Sequence, residues 1–422
     1  MGVLVLSCGL DFGTSNSTLG VVQNGDPVLV PLDAAAPTIK SAIFFNAEDN
    51  CYVVGKKGID QYLAGGKGRM MLSLKSILGS SLVAEKTAVC GQWLTYQDII
   101  GLVLKHIKST AEAHLQTELT KVVLGRPVRY NDDNDYKDNL AQTTMLQIAR
   151  AQGFKEVVFQ FEPIAAALNY ERTVQKEELA LIADLGGGTS DFTIIKINGK
   201  RESNDRKEDI LANCGVHIGG TNFDRELSLH SIMPLLGKGS LMYGLNGANL
   251  EVPQALYYDL TTWHMLNFLY TNKSINNLKQ IYLCAQNRSL IKRALDVLQK
   301  QLGHNLLSAA ENAKIMLSEV EQAKIDLSII EHDLILKVER NDFNIYCEKL
   351  VAKLVATINL TLNSADVAAK DINSVFLTGG TTQIPIILAC IKSLLPNSRL
   401  VKGDIYGSVG KGLAIEAYNC WK

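Results

Sequence analysis

With 422 residues, 47% of them hydrophobic and 20% charged, the chain has enough apolar material for two or more domains, each burying its own core. A formal net charge of −1 excludes bulk attraction to nucleic acid or to an anionic membrane as the basis of function. No apolar run reaches the length that spans a bilayer, the eight cysteines stand as singletons without a C-x-x-C, and the seven histidines show no ligand spacing, so a cytoplasmic protein with buried, reduced thiols is expected.

The N-terminal stretch VLVLSCGLDFGTSNSTLGVV is an apolar run, then Asp11, Gly13, Thr14, Ser15 and Asn16, then a second apolar run, which predicts strand, tight turn, strand. Residues 26 to 54 alternate apolar and polar positions as a strand meander does, with VLVPL and SAIFFN as the strands. In GGKGRMMLSLKSILGSS the glycines lack the G-x-x-x-x-G-K-[ST] spacing of a P-loop. Lys75, set between Leu74 and Ile77, reads by itself as a lysine snorkelling from a helix face. One long helix is predicted over 95 to 120, opened by Thr95 and Asp98. KVVLGRPVRY is a strand running into a turn at Pro127, and a polar loop then opens a helix through Arg150. FKEVVFQFEPIAAALNYE is a strand ending at Glu162, with Pro163 preorganised for the first turn of a helix; Glu162 either caps that helix or faces a cleft.

The chain is organised around the next stretch, LALIADLGGGTSDFTIIKI, in which an apolar run meets Asp184, Gly186, Gly187, Gly188, Thr189 and Asp191 before another apolar run. Successive N–H groups in such a turn form an anion-binding concavity. The two aspartates would repel a naked phosphate, which suggests a hydrated divalent cation between them. A lone Gly-rich turn is also compatible with a plain hairpin, but this one repeats the pattern around Asp11. An internal duplication predicts two similar lobes, each presenting one hairpin to a nucleotide held in a shared cleft.

Beyond the charge-mixed loop KRESNDRKED, the segment ILANCGVHIGGTNFDREL places Gly219 and Gly220 at the mouth of a helix. Residues 237 to 275 look like an irregular insertion on the rim. A long helix is predicted in HNLLSAAENAKIMLSEVEQAKIDL, where Glu311, Lys314 and Ser318 fall on one face, a spacing that by itself is ordinary surface electrostatics. DINSVFLTGGTTQIPIILACIKSLL is strand, Gly379, Gly380, Thr381 and Thr382, then a helix, a third turn suited to an anion or nucleotide; a Gly-rich turn and a last amphipathic helix close the chain.

In order and spacing, DFGTSNS, FEPIAAAL, ADLGGGTSDF, IGGTNFD, the Glu311/Lys314/Ser318 face and LTGGTTQIP resemble the nucleotide-binding domain of the DnaK-like heat-shock protein 70 family, over essentially the whole chain. GRPV and VVFQFEP look most like its YegD branch. The resemblance implies an α/β protein with the actin-like ATPase fold, duplicated ribonuclease H-like lobes around a nucleotide cleft. Lobe I would span 1–172 with a peripheral subdomain inserted at 38–115. Lobe II would span 173–422 with 221–305 inserted and the helix at about 404–422 packing back towards lobe I.

The same resemblance assigns roles. ATP or ADP would be held with Mg2+, the phosphates by Gly13, Thr14, Ser15 and Asn16 on one hairpin and by Gly186, Gly187, Gly188 and Thr189 on the other. Asp11 and Asp184, with Glu162, would hold the cation through water. Lys75 would offset charge on the γ-phosphoryl group, and Asp191 would orient or deprotonate the attacking water. Gly219, Gly220, Glu311, Lys314, Ser318, Gly379, Gly380, Thr381 and Asp404 would line the adenosine pocket. Ile315 and Gln383 stand where the chaperones sandwich the adenine between arginines, and Leu146 stands where they carry a coupling arginine. No leucine-rich linker or β-sandwich peptide-binding domain is read in the chain, so the expected reader of the nucleotide state is a separate partner or client protein; a nucleotide-sensing or filament-forming module is the alternative.

Overall fold

The computed structural model describes residues 6–34, 36–131, 134–171, 174, 176–198, 206–244, 248–401 and 407–422. It divides into two compact units, the first comprising Met1–Gly219, Leu354–Thr382 and Ile391–Lys422, the second Gly220–Lys353 and Gln383–Cys390.

The first unit opens with the hairpin β1 (Ser7–Phe12) and β2 (Asn16–Gln23), then β3 (Asp26–Leu29) and β4 (Thr38–Lys40). A small sheet follows from β5 (Ala42–Asn46), β6 (Cys51–Val54) and, after helix α1 (Lys56–Leu63), β7 (Gly68–Leu72). A second hairpin, β8 (Lys86–Val89) and β9 (Gln92–Thr95), leads into helix α2 (Tyr96–Leu115). The start of α2 is where the sequence puts it: Asp98 N donates to Thr95 Oγ1 at 3.0 Å while Thr95 N donates back to the Asp98 carboxylate at 2.9 Å. This reciprocal pairing satisfies two helix-end donors. Next come β10 (Lys121–Arg126), α3 (Asp135–Ala151), β11 (Glu156–Phe161), α4 (Glu162–Glu171), β12 (Glu178–Leu185), β13 (Ser190–Ile197) and β14 (Ile210–Val216).

The second unit starts with α5 (Gly220–Leu227). The stretch read as irregular holds a two-stranded hairpin, β15 (Leu241–Tyr243) with β16 (Asn249–Glu251), and the short helices α6 (Ala255–Leu260) and α7 (Leu266–Leu269). Helices α8 (Asn272–Cys284), α9 (Arg288–Gln299) and α10 (Gly303–Glu319) follow. α10 stops short of the predicted end, because Gln322–Asp326 forms β17, paired with β18 (Ile335–Glu339). There Ala323 and Ile325 are buried while Gln322, Lys324 and Asp326 are exposed, a period of two that a helix cannot satisfy. Phe223, Leu227, Tyr257, Leu260, Ile291 and Leu298 are buried in this unit. Helix α11 (Arg340–Ser364) precedes β19 (Ser374–Thr378), α12 (Pro385–Leu394), β20 (Arg399–Val401) and α13 (Ser408–Cys420).

The duplication read from two Gly-rich turns is a duplication of topology. One sheet runs β11-β10-β1-β2-β3, with β4 also on β2, and the other runs β20-β19-β12-β13-β14. In each, an antiparallel hairpin carries a third antiparallel strand on one side and two parallel strands on the other. Helix α13 lies against the first sheet and α4 at van der Waals closeness. A Cβ at Gly9 of β1 would fall 2.2 Å from the Leu413 backbone, and one at Gly412 would fall 1.8 Å from the Ala165 carbonyl oxygen.

Candidate nucleotide site

The duplicated topology puts two equivalent aspartates next to last in their strands, Asp11 in β1 and Asp184 in β12. Asp11 stands opposite Thr18, and Asp184 opposite Asp191. The turns that follow meet directly: a Cβ on Gly187 would lie 2.0 Å from Ser15 Oγ. Only a residue without a side chain leaves that approach open. The second turn is closed by Gly186 N donating to the Thr189 carbonyl at 2.9 Å, and Gly219 packs on it so tightly that a Cβ there would reach 2.5 Å from the Gly187 carbonyl carbon.

Around these turns the first unit gathers charge. Lys75 sits on a 3-10 turn, Leu74–Ile77, entered through Ser73 in the left-handed region, not on the face of an α-helix. Its Nζ donates to Glu162 Oε1 at 2.7 Å, and the two side chains are only 12% and 11% exposed. Glu162 opens α4 directly after β11, beside Gly125 of the neighbouring strand. Burial alone would lower the Lys75 pKa, but Glu162, Asp11 and Tyr130 together raise it, so the ammonium is held charged. Asp11 is pushed up to about 7, first by burial and then by Glu162, with Asp184 adding to it. Asp184 is pushed up to about 6, by burial and by Glu162, against a lowering hydrogen bond from Thr378.

Asp11, Asp184 and Glu162 gather around Lys75, and the carboxyls of Asp11 and Asp184 are raised first by burial and then by the charge of Glu162. A hydrated divalent cation fits this donor set of hard oxygens. Among the described residues no group of three His, Cys, Asp or Glu side chains could hold a metal ion directly. A Cβ on Gly188 would meet no heavy atom within 4 Å, so the tip of the second turn has room for an anion.

The third turn is stitched to the second. Thr378 Oγ1 donates to Asp184 Oδ1 at 2.8 Å, and Thr381 Oγ1 donates to the Gly186 carbonyl at 2.7 Å. Gly379, at φ +81°, approaches the Leu185 carbonyl so closely that a Cβ would sit 2.2 Å from it. Gly380 opens a short 3-10 turn with Thr381. Of the remaining residues picked from sequence, Gly13 and Thr14 form the first turn and Asn16 begins β2, while Asp191 lies in β13.

In the second unit, Lys314 pairs with Asp224 Oδ1 at 2.8 Å and reaches the Gly220 carbonyl at 3.4 Å; Ser318 Oγ donates to the Lys314 carbonyl. Glu311, on the same helix, is half-buried. Asp404 and residues 199–205, which include the first part of the charge-mixed loop KRESNDRKED, lie outside the described residues.

Two contributors escaped the sequence reading. Thr378 immediately precedes the glycines of the third turn and bonds Asp184. Tyr130 follows Pro127, and its hydroxyl is pushed up to about 12, chiefly by burial, with Lys75 lowering and Glu162 raising it. Its ring lies 5.3 Å from the guanidinium of Arg126. Arg126 ends β10, pairs with Asp138 of α3 at 2.8 Å, and donates to the carbonyls of Pro127 and Val128. Nothing in the local sequence marks either residue, because their partners come from other elements.

A sequence profile described as Hsp70 protein matches residues 7–235 and 282–417. Over 420 residues the chain is 29% identical to a protein named Chaperone protein DnaK from Mycoplasma mycoides subsp. mycoides, a match that covers 97% of this chain and 58% of that relative. The chain therefore spans less than two thirds of the length of the relative it matches.

Proposed function

The chain belongs to the Hsp70 family and has its actin-like ATPase fold, and from that premise we propose that it binds ATP with Mg2+, hydrolyses it slowly, and uses the nucleotide as a switch on a separate protein partner. The observation that carries the reading is the buried Lys75–Glu162 pair set among Asp11 and Asp184 beside two equivalent phosphate turns. Backbone N–H groups of Gly13 to Asn16 and of Gly187 to Thr189 bind the phosphate oxygens. Lys75, kept charged by Glu162, offsets negative charge that develops on the transferred phosphoryl group, and Asp191 orients the attacking water. Phosphoryl transfer is mostly positioning and electrostatics, so this sparse set suffices. Mg2+, held through water by Asp11, Asp184 and Glu162, supplies the positive charge the carboxylates lack. The adenosine assignment to Gly219, Gly220, Glu311, Lys314, Ser318, Gly379, Gly380 and Thr381 rests on the family resemblance.

Thermal unfolding with and without Mg-ATP tests the reading. At one hundred times the dissociation constant, the ligand stabilises the fold by about 2.7 kcal/mol, and chelating the cation with EDTA removes most of that gain. A melting curve that does not move in millimolar Mg-ATP overturns it.

A further inference from the structure

The peripheral part of the first unit brings two cysteines together far from each other in sequence. Cys51 is exposed and begins β6, paired with Asn46 across the β5–β6 hairpin. Cys90 is half-buried and sits with Gly91 in the two-residue turn joining β8 to β9; both have positive φ, +46° and +70°, as such hairpin turns require. The Cys90 thiol is aimed at the turn end of the other hairpin: its Sγ donates to the Asn46 carbonyl at 3.3 Å and lies 3.8 Å from the carbonyl oxygen of Cys51 itself. The sheet that carries Cys51 is docked on the β8–β9 hairpin, since Arg69 of β7, the neighbour of β5, bonds Thr87 of β8.

The geometry points to Cys51 and Cys90 as a thiol pair that closes reversibly into a disulfide under a low-molecular-weight disulfide such as oxidised glutathione. Cys51 is the entry thiol because it is the exposed one. Its thiolate attacks one sulfur of oxidised glutathione and releases one glutathione thiolate, leaving a mixed disulfide on Cys51. The Cys90 thiolate then attacks the Cys51 sulfur and releases the second glutathione. The protein's two thiol protons end on the two glutathione thiolates, so two protein thiols are oxidised while one external disulfide is reduced. Burial raises the Cys90 pKa, and Cys51 beside it adds to the rise, which disfavours Cys90 as the first attacking thiol and leaves that step to Cys51. The chain between the two sulfurs contains β7 and the turn that carries Lys75, so the crosslink braces that segment.

Incubating the reduced chain in a glutathione redox buffer, followed by non-reducing peptide mapping, tests this independently of any nucleotide reaction. The expected product is a peptide pair joined through Cys51 and Cys90 with the loss of two hydrogens, reversed by excess reduced glutathione. Cys90→Ser is expected to stop at a glutathione adduct on Cys51, and Cys51→Ser to leave Cys90 unmodified; Cys284, exposed on the second unit, reports the reactivity of an isolated thiol. A stable glutathione adduct at Cys51 of the unsubstituted chain with Cys90 still free, or no modification of Cys51 when Cys284 is modified, overturns the proposal.

Discussion

Asp11 and Asp184 hold the same place in two sheets of the same strand pattern, yet they meet different company. Asp11 shares its surroundings with Glu162 and Lys75, groups delivered by the inserted segment before α2 and by the start of α4. Asp184 is met by hydroxyls and glycines: Thr378 bonds its carboxylate, Thr381 bonds the turn behind it, and Gly379 closes on Leu185. The repeated strand pattern presents a Gly-rich turn in each half, while the flanking segments differ. Around the first hairpin the flanking segments bring Lys75 and Glu162, whose charges also reach Asp184, and around the second they bring hydroxyls and a tightly packed backbone. Breaking the first should therefore damage chemistry, and breaking the second should damage binding and fold.

The largest effect is expected at Lys75. Lys75→Ala removes the one cation among three carboxylates, and turnover should fall by at least about 100-fold in single-turnover hydrolysis, with nucleotide affinity changed far less. It also leaves Glu162 buried without its partner, which costs on the order of 3–5 kcal/mol. Adding Glu162→Gln to Lys75→Ala should recover much of that stability and none of the turnover. Hydrolysis at the parent rate by the single variant would remove Lys75 from the chemistry.

How much of this was legible in the sequence depends on where a residue's partners lie. The strands around both hairpins, the Thr95–Asp98 box and the strand-to-helix junction at Glu162 follow from local pattern, and they stand where the pattern puts them. By local pattern Lys75 reads only as a snorkelling lysine and takes its site role from the resemblance, since its 3-10 turn has no helical period and its partner Glu162 is remote in sequence. Tyr130 carries no signal and Arg126 only the GRPV motif, which gives it no site role; α10 ends before the predicted bound because an alternating strand directly follows it without a glycine or proline between. The expectation of buried thiols holds at Cys8 and Cys347, is half met at Cys90, Cys214, Cys390 and Cys420, and fails at Cys51 and Cys284, which are exposed: isolated spacing says nothing of depth.

The next largest effect concerns pH. An unfolded aspartate titrates near about 3.9. In the fold Asp11 is raised to about 7 and Asp184 to about 6. Their contribution favours the fold fully below the unfolded value and is lost as pH rises through 6 to 7, so without ligand these two groups make the protein less stable at pH 8 than at pH 5. Asp11→Asn should raise the midpoint of unfolding at pH 8, by a stability gain on the order of 2 kcal/mol, and leave it nearly unchanged near pH 4. Mg-ATP should flatten the dependence for the parent and not for the variant. A variant no more stable than the parent at pH 8 would mean that Asp11 is not held against its own charge.

Around the second hairpin, Gly219→Ala sets a methyl against the backbone of Gly187 and Gly188, atoms that cannot rotate aside. Overpacking of this kind costs about 1–3 kcal/mol. Denaturant unfolding should show the loss, and hydrolysis per bound nucleotide should hardly change. A drop in turnover as deep as that of Lys75→Ala, with affinity kept, would erase the division between the surroundings of the two hairpins.

The smallest and most specific effect is expected at Thr378. Its hydroxyl donates to Asp184 Oδ1, and this hydrogen bond lowers the pKa of that carboxylate against burial and Glu162. Thr378→Val keeps the shape and removes the donor, so ionised Asp184 loses about 1 kcal/mol of support. Asp184 then titrates higher, and because Mg2+-dependent binding uses its ionised form, the pH at which that binding falls off should move upward by somewhat under about one unit. Binding well above that pH should be close to the parent's, since deprotonation is then complete in both. Titrating Mg-ATP affinity from pH 5 to 8 for the parent and for Thr378→Val separates this electrostatic role from plain packing: a packing defect weakens binding equally at every pH, and a parallel pair of curves would refute the assignment of Asp184 to the cation.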